Sequence, residues 1–364
     1  MLTIDLNAIQ QNWLKLASLT KANVAGVVKA NAYGLGAREV ANSLFAVGCR
    51  QFFLATFDEA VAARAYLPPE SKLYILGGIS QIDIREMCAQ RITPVLCSGY
   101  DIEHWIAFKK ESGSKASAVI KINTGMTRFG LDEKEFSLLC DSSDNLRTIN
   151  PELVMSHLSS ADDKVSSQNP KQLEHFSKFY SKIQSLVPSI RASLANSSGI
   201  FLGDAWHFDL VRPGAALYGV NPTPMEKNPM VPVFRLELPV LQVRTLSRTE
   251  QIGYSATAQL SSGARIAVLA GGYADGIHRT MGTQKEGVLL EHRVNVLGRI
   301  SMDSLIIDIS HLPHSDDEIM RASVEIIGPA NPLDELMKNN QTLGYEVLTS
   351  LGSRYKRKYL PGAK

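Results

Sequence analysis

Within the first 220 residues, short apolar runs alternate with helix-like stretches eight times, and this repetition limits the folds open to the chain. The runs cover residues 24–28, 52–56, 73–76, 93–96, 118–122, 153–156, 190–194 and 208–211. Most are continuously apolar, the pattern of strands covered on both faces in a parallel sheet. The stretches between them have helical spacing: Val40, Ala41, Leu44 and Phe45 share one face of 37–47, and further helices are expected over 57–66 and 173–187. Eight such alternations predict an α/β fold of the (β/α)8 TIM-type barrel class. An open doubly wound sheet is the alternative.

After residue 220 the texture changes. Asn221-Pro-Thr-Pro-Met-Glu-Lys-Asn-Pro-Met-Val-Pro232 reads as an irregular linker. Beyond it, runs over 234–246, 265–270, 288–297, 304–309 and 324–327 are β-rich, partly alternating and joined by Gly-containing turns. They predict a mainly antiparallel β domain. A helix over 345–351 precedes Arg354-Tyr-Lys-Arg-Lys358, which reads as a solvated basic terminus and not as a nucleic-acid patch. The expected domains are therefore a barrel over 1–230, whose first few residues are free to pair with the C-terminal domain, and a β domain over 231–364.

Composition removes other classes. With 45% hydrophobic and 20% charged residues in 364, the chain is globular and long enough for two domains. Thirty-eight Lys+Arg against 36 Asp+Glu give +2, so no global field holds nucleic acid or an anionic membrane. No apolar run approaches the roughly 18 residues of a membrane span. Met1-Leu-Thr-Ile-Asp-Leu6 lacks the basic and apolar regions of a secretory signal, so a cytoplasmic location is expected. Cys49, Cys88, Cys97 and Cys140 form no CxxC pair and share no ligand spacing with His. Free thiols in a reducing compartment are expected, and no metal site.

A barrel carries its chemistry at the C-terminal ends of its strands. The first strand runs into Val28-Lys29-Ala-Asn-Ala-Tyr33-Gly-Leu-Gly36. A lysine there either snorkels from a strand end or, held in a dry barrel mouth, becomes a nucleophilic Schiff-base amine. The small residues that follow suit a phosphate approached by backbone amides and capped by a tyrosine hydroxyl. Later strand ends carry Lys121 with Asn123-Thr-Gly-Met-Thr-Arg128, then Ser156-His157, Ala195-Asn196-Ser197-Ser-Gly199, and Arg212-Pro-Gly214-Ala215. Arg128 suits a carboxylate, and the Asn-Ser turn suits an anion at a helix N-terminus. Any one is an ordinary structural residue. Together, on five strand ends, they point to a site.

These stretches, with Gly253-Tyr254-Ser-Ala-Thr, Gly272-Tyr273-Ala-Asp-Gly and Gly298-Arg-Ile-Ser-Met302-Asp303 in the same order, resemble alanine racemase, a pyridoxal-phosphate (PLP) enzyme family of fold type III. The resemblance spans essentially the whole chain. It implies a homodimer with shared active sites, acting on alanine to supply D-alanine for peptidoglycan or to catabolise it. Lys29 would carry PLP and serve as one base, with Tyr254 as the other. Tyr33, Asn196, Ser197, Gly214, Ala215 and Tyr345 would bind the cofactor, Arg212 would face the pyridine nitrogen, and His157 would hydrogen-bond behind Arg212. Arg128 would hold the substrate carboxylate. Tyr254, Tyr273, Met302 and Asp303 would come from the partner subunit. Lys121 matches a lysine carbamylated in many members. Ser301 stands where some members have cysteine.

Racemisation removes a proton from one face of Cα and delivers one to the other, which two bases achieve directly. A phenol with a reference pKa near 10 needs a nearby cation to act near neutral pH, and the resemblance supplies Arg128. A broader amino-acid racemase on the same scaffold is the alternative. A fold-type-III decarboxylase would need a C-terminal cysteine, and the chain has none after Cys140. A non-catalytic PLP-binding barrel would lack the segment that carries Tyr254.

Overall fold

A computed structural model describes residues 1–279, 286–340 and 342–362, with the side chains of 338–340 left aside. The last two residues of the expected β domain, 363 and 364, lie outside the described residues. The described chain forms two compact units, one of Ile9–Val231 and one of Met1–Ala8 with Pro232–Gly362.

The larger unit is the expected barrel. Seven parallel strands follow one another in chain order: Gly26–Val27, Gln51–Leu54, Lys72–Ile75, Ile92–Leu96, Ala118–Lys121, Pro151–Met155 and Arg191–Ser193. Leu210–Val211 closes the ring. It pairs in parallel with Asn23–Val24, which leads into the first strand. On that side Ala25 N–H donates to Val211 O and Val27 N–H to Pro213 O, both at 3.0 Å. On the other side Asp209 N–H donates to Ala192 O and Arg212 N–H to Ala195 O, also at 3.0 Å. The circle leaves no open sheet edge, which excludes the doubly wound alternative.

The barrel is packed solid, as the apolar runs require. Ala25, Val27, Phe53, Tyr74, Val95, Val119, Leu153, Met155 and Leu210 form its interior, with Phe53 stacked on Tyr74 at 4.6 Å. Helices Ala37–Ala46, Phe57–Arg64, Gly99–Ser112 and Gln168–Leu186 cover the outside. Helix starts are legible: Thr56 before Phe57–Arg64, Ser98 before Gly99–Ser112 and Asp132 before the helix Glu133–Cys140 each accept an N3 amide in the manner of N-caps.

The smaller unit is mainly antiparallel, as expected, and its main sheet also closes. Phe234–Thr245 pairs through its first half with Ser323–Ile327 and through its second half with Arg265–Ala270. The ring continues through Ser304–Asp308, His292–Leu297 and Glu286–Leu289. The long strand serves both sides because its register shifts between Leu236 and Glu237 and again between Val240 and Gln242, with Pro239 between the two. Two differences from expectation stand out. The run at 288–297 is a hairpin turning at Leu290 and Glu291, both at positive φ. The basic terminus is not simply solvated: Arg357–Leu360 is a strand parallel to Leu2–Asp5. Ahead of it, Arg354 pairs with Asp303 at 2.7 Å and Asp275 at 3.2 Å.

Candidate active site

The first barrel strand ends in an unusual turn. Ala30, Asn31, Ala32 and Tyr33 all have φ between 52° and 54°, so four L residues in succession wind left-handed. Each costs roughly 1–2 kcal/mol. Local bonds offset this: Gly34 N–H donates to Ala30 O (2.8 Å), Gly36 N–H to Asn31 O (3.0 Å) and Ala37 N–H to Asn31 Oδ1 (2.8 Å). The turn sends Lys29 and Tyr33 into the barrel mouth. The Tyr33 ring lies 4.7 Å from that of Tyr218, whose hydroxyl donates to Val27 O at 2.9 Å.

Beside Tyr33 is a cradle of backbone amides. Gly214 N–H and Ala216 N–H both donate to Ser197 Oγ, at 3.0 and 3.1 Å. A Cβ on Gly214 would meet Tyr33 Oη at 2.5 Å, so only glycine leaves this space open. Amides at the start of the 3-10 turn Ala215–Tyr218, a seryl hydroxyl and a tyrosine are the donor set of a phosphate site. Asn196, expected in cofactor binding, lies in the turn that leads into Ser197. Its amide holds the fold, donating to Leu158 O (3.3 Å) and accepting from Gly199 N–H (2.9 Å).

Arg212 lies 4% exposed at the end of the eighth strand. Its guanidinium donates to Ser193 Oγ, to Ser156 O at 2.5 Å and to Leu194 O at 3.4 Å. These fix its plane. The expected hydrogen bond from His157 is not among the contacts of the described residues. His157 is instead an electrostatic neighbour: burial, then Arg212, Lys121, Arg128 and Lys29, holds its imidazole well below the usual basicity. Ser193 carries no sequence signal as a site residue, and neither does Gln172. The Gln172 amide donates to Thr124 Oγ1 (3.1 Å) and His157 O (2.9 Å), binding the ends of the fifth and sixth strands to the helix Gln168–Leu186. Both act through contacts that only the closed barrel creates.

Arg128 sits on a loop that leaves the fifth strand and returns to it. Leu131 N–H donates to Lys121 O (2.8 Å) and Asn123 N–H to Leu131 O (3.0 Å). Asn123 Oδ1 accepts from Gly125 and Thr127, and Thr127 has φ 53°, an outlier for a β-branched residue of the kind found beside functional groups. Arg128 lines a cleft of about 380 Å³ with Cys97, Asp101, Asn123 and Thr127.

Two lysines share the mouth, Lys29 half-buried and Lys121 buried. Lys29 is less basic than usual through burial and then Arg128, partly offset by Glu59. Lys121 is 5% exposed, 5.1 Å from the Phe129 ring centre, and burial brings its pKa to about 8. Lysines 29 and 121 with Arg128 and Arg212 make the mouth strongly cationic, ready for an anionic occupant. The buried ammonium of Lys121 also has a cost with a definite sign. Because the folded pKa lies below the free-lysine value of 10.5, the unfolded chain binds more protons between about pH 8 and 10.5. Stability therefore rises with pH across that window, and the penalty is full below it. In ligand- and carbonate-free buffer, Lys121→Met should stabilise the fold by up to about 3 kcal/mol at pH 7, and the gain should shrink towards pH 10.5. Urea unfolding of both proteins at pH 7 and pH 10 checks this; an equal difference at both pH values contradicts it.

The remaining expected residues form a second group, on the β unit. Tyr254 is 67% exposed and opens a 3-10 turn, Tyr254–Ala256, between Gly253 (φ 72°) and Ser255 (φ 60°). Arg299 donates to Ser255 Oγ at 3.0 Å. Tyr273 N–H donates to Ser301 O (3.1 Å), Ala274 N–H to Met302 O (3.0 Å) and Gly271 N–H to Asp303 O (3.0 Å). A Cβ on Gly272 would lie 2.3 Å from Ser301 O and Met302 O, so glycine allows the two loops to touch. Tyr345, on the helix Gly344–Ser350, is also exposed. The residues expected on the barrel are thus gathered in one mouth, and Tyr254, Tyr273, Met302 and Asp303 are gathered on linked loops of the β unit.

Comparison with known proteins agrees over the whole length. Residues 4–222 match the family described as alanine racemase, N-terminal domain, and residues 233–359 match alanine racemase, C-terminal domain. An alanine racemase of Rhodospirillum rubrum is 42% identical over 363 residues, covering 99% of this chain and 95% of its own. A catabolic alanine racemase of Agrobacterium fabrum is 40% identical, covering 99% and 92%. Among solved structures, the alanine racemase of Bartonella henselae, described with covalently bound pyridoxal phosphate, superposes with a TM-score of 0.93 at 36% identity, covering 99% of each chain. By sequence across both units and by fold, the chain belongs to the alanine racemase family.

Proposed function

We propose that the protein is a PLP-dependent alanine racemase that interconverts L-alanine and D-alanine. The observation that carries this reading is the barrel mouth of a chain in this family. There a lysine of reduced basicity stands beside an amide cradle that glycine alone leaves open. The residues fit the cofactor: Ser197, the amides of Gly214 and Ala215, Tyr33 and Tyr345 would hold its phosphate, Lys29 would hold it covalently, and Arg212 would face its ring. When bound, PLP supplies the electron-withdrawing ring that makes the substrate's Cα hydrogen acidic.

The chain's own groups do the rest. Arg128 holds the alanine carboxylate and orients Cα. Lys29 and Tyr254 stand on opposite faces of Cα; one takes a proton and the other returns one. Burial and then the Arg128 charge lower the basicity of Lys29, which favours the neutral amine that accepts a proton. Arg212 carries its charge at a fixed place because Ser156, Ser193 and Leu194 hold it. Lys121 lies beside Arg128 and, at a pKa of about 8, has enough free amine to be carbamylated. A carbamate there would give Arg128 an anionic partner.

The barrel, residues 1–230 less the first few, is the cofactor half, and 231–364 is the half that completes a neighbour's site. The working form is a homodimer: the exposed Tyr254, Tyr273 and Met302 are an apolar and aromatic set of the kind partners cover. Cys49, Cys88, Cys97 and Cys140 are free, which fits the reducing cytoplasm. Among the described residues no helix is long and apolar enough to cross a membrane. The test is incubation with a panel of L-amino acids followed by chiral analysis. D-Alanine should dominate. Comparable yields of several D-amino acids would instead mark a broad-specificity racemase, and no D-product would overturn the reading.

A further inference from the structure

Thr56-Phe-Asp-Glu59 has the spacing of a capping box, and Thr56 Oγ1 accepts Glu59 N–H at 3.3 Å as such a cap does. In the usual box the glutamate turns back to the N-cap amide. Here the carboxylate bridges two barrel strands. Oε2 accepts Ala55 N–H at 2.8 Å, at the end of the second strand. Oε1 accepts Ala30 N–H at 2.7 Å, the amide directly after Lys29 and the first of the left-handed turn. Both are short, charge-assisted bonds to backbone. Ala30 is where the backbone leaves the strand for an unfavourable hand, so an anchor at its amide also fixes the direction of the Lys29 side chain.

We propose that Glu59 is a positioning residue for Lys29: its carboxylate pins the left-handed turn to the second strand end and places a negative charge beside the Lys29 amine. The inference rests on Lys29 as the attachment point of the cofactor. The charge matters because the ionised groups facing Lys29 are otherwise cationic, Arg128 and Lys121, while the His157 imidazole beside them is held neutral. Glu59 opposes them and keeps the amine from losing its proton too early.

The test compares wild type with Glu59→Gln, Glu59→Asp and Thr56→Ala. Apoprotein is labelled with trace acetic anhydride from pH 6 to 11, and Lys29 modification is read by peptide mass spectrometry. PLP affinity is read separately by absorbance titration. Glu59→Gln should move the midpoint of Lys29 labelling to lower pH and weaken PLP binding on the order of tenfold, the scale of one charge-assisted hydrogen bond. Glu59→Asp keeps the charge but shortens the reach, so it should weaken PLP binding with a smaller change in the midpoint. Thr56→Ala removes the helix cap alone; it should lower the melting temperature and leave the Lys29 midpoint in place. Should Glu59→Gln fail to fold, Glu59→Asp against Thr56→Ala decides the matter through PLP affinity. An unchanged midpoint and affinity in Glu59→Gln, or equal changes in Thr56→Ala, overturns the proposal. Failure of the functional reading looks different: the labelling midpoint would still respond to Glu59, but PLP would be found on another lysine.

Discussion

Tyr254→Phe lowers racemisation about 10²–10⁴-fold, the usual worth of a positioned acid–base group, and leaves the fold and the bound cofactor intact. The fold survives because the side chain is exposed on its turn, and the change removes one oxygen. The loss is also asymmetric. With Tyr254 as the base that acts on the L-enantiomer and Lys29 as the base for the D-enantiomer, the variant retains only the second. In deuterium oxide it should exchange the Cα hydrogen of D-alanine much faster than that of L-alanine, read by mass spectrometry or proton NMR. Equal exchange of the two enantiomers would remove Tyr254 from the pair.

The second large effect is a recovery. Lys29 lies in the barrel unit and Tyr254 in the β unit, and the proposal draws the two halves of a site from different subunits. Neither Lys29→Ala nor Tyr254→Phe should racemise alone. After the two are mixed, dissociated and reassociated, about half the dimers are hybrids by random pairing. In each hybrid one site collects both defects and the other regains an intact pair, as two-fold symmetry requires. Activity should return to roughly one quarter of wild type. Continued inactivity, with hybrids confirmed by differently tagged subunits, would mean that the pair lies within one chain.

How far the site was readable from sequence depended on what kind of contact makes it. Lys29, Lys121, His157 and Arg212 were visible because each breaks an apolar run at a strand end, and the barrel converts that position into proximity. The eight barrel strands were visible for the same reason: burial on both faces leaves few polar residues to blur them. Contacts that only closure creates were not visible. Ser193 reaches Arg212, Gln172 reaches Thr124, and Glu59 reaches Ala30 across separations that no periodicity encodes. The left-handed turn was hidden too, since Ala30, Asn31 and Ala32 announce a compact segment but not its hand. In the β unit, Arg357–Leu360 looked like a charged tail because edge strands tolerate charge. Leu2–Asp5, which it pairs with, lies at the far end of the sequence.

The claim at the centre of this account is that Lys29, and no other lysine, carries the cofactor. The structure makes this a real contest. Lys121 is buried in the same mouth and is brought to a pKa of about 8, so lowered basicity does not by itself single out Lys29. Position does: Lys29 is four residues before Tyr33, whose hydroxyl stands over the Gly214 cradle. The purified protein should be yellow. Borohydride reduction followed by proteolysis and mass spectrometry should place the reduced cofactor on the peptide containing Lys29. Recovery of the label on Lys121 or on any other lysine would contradict the account.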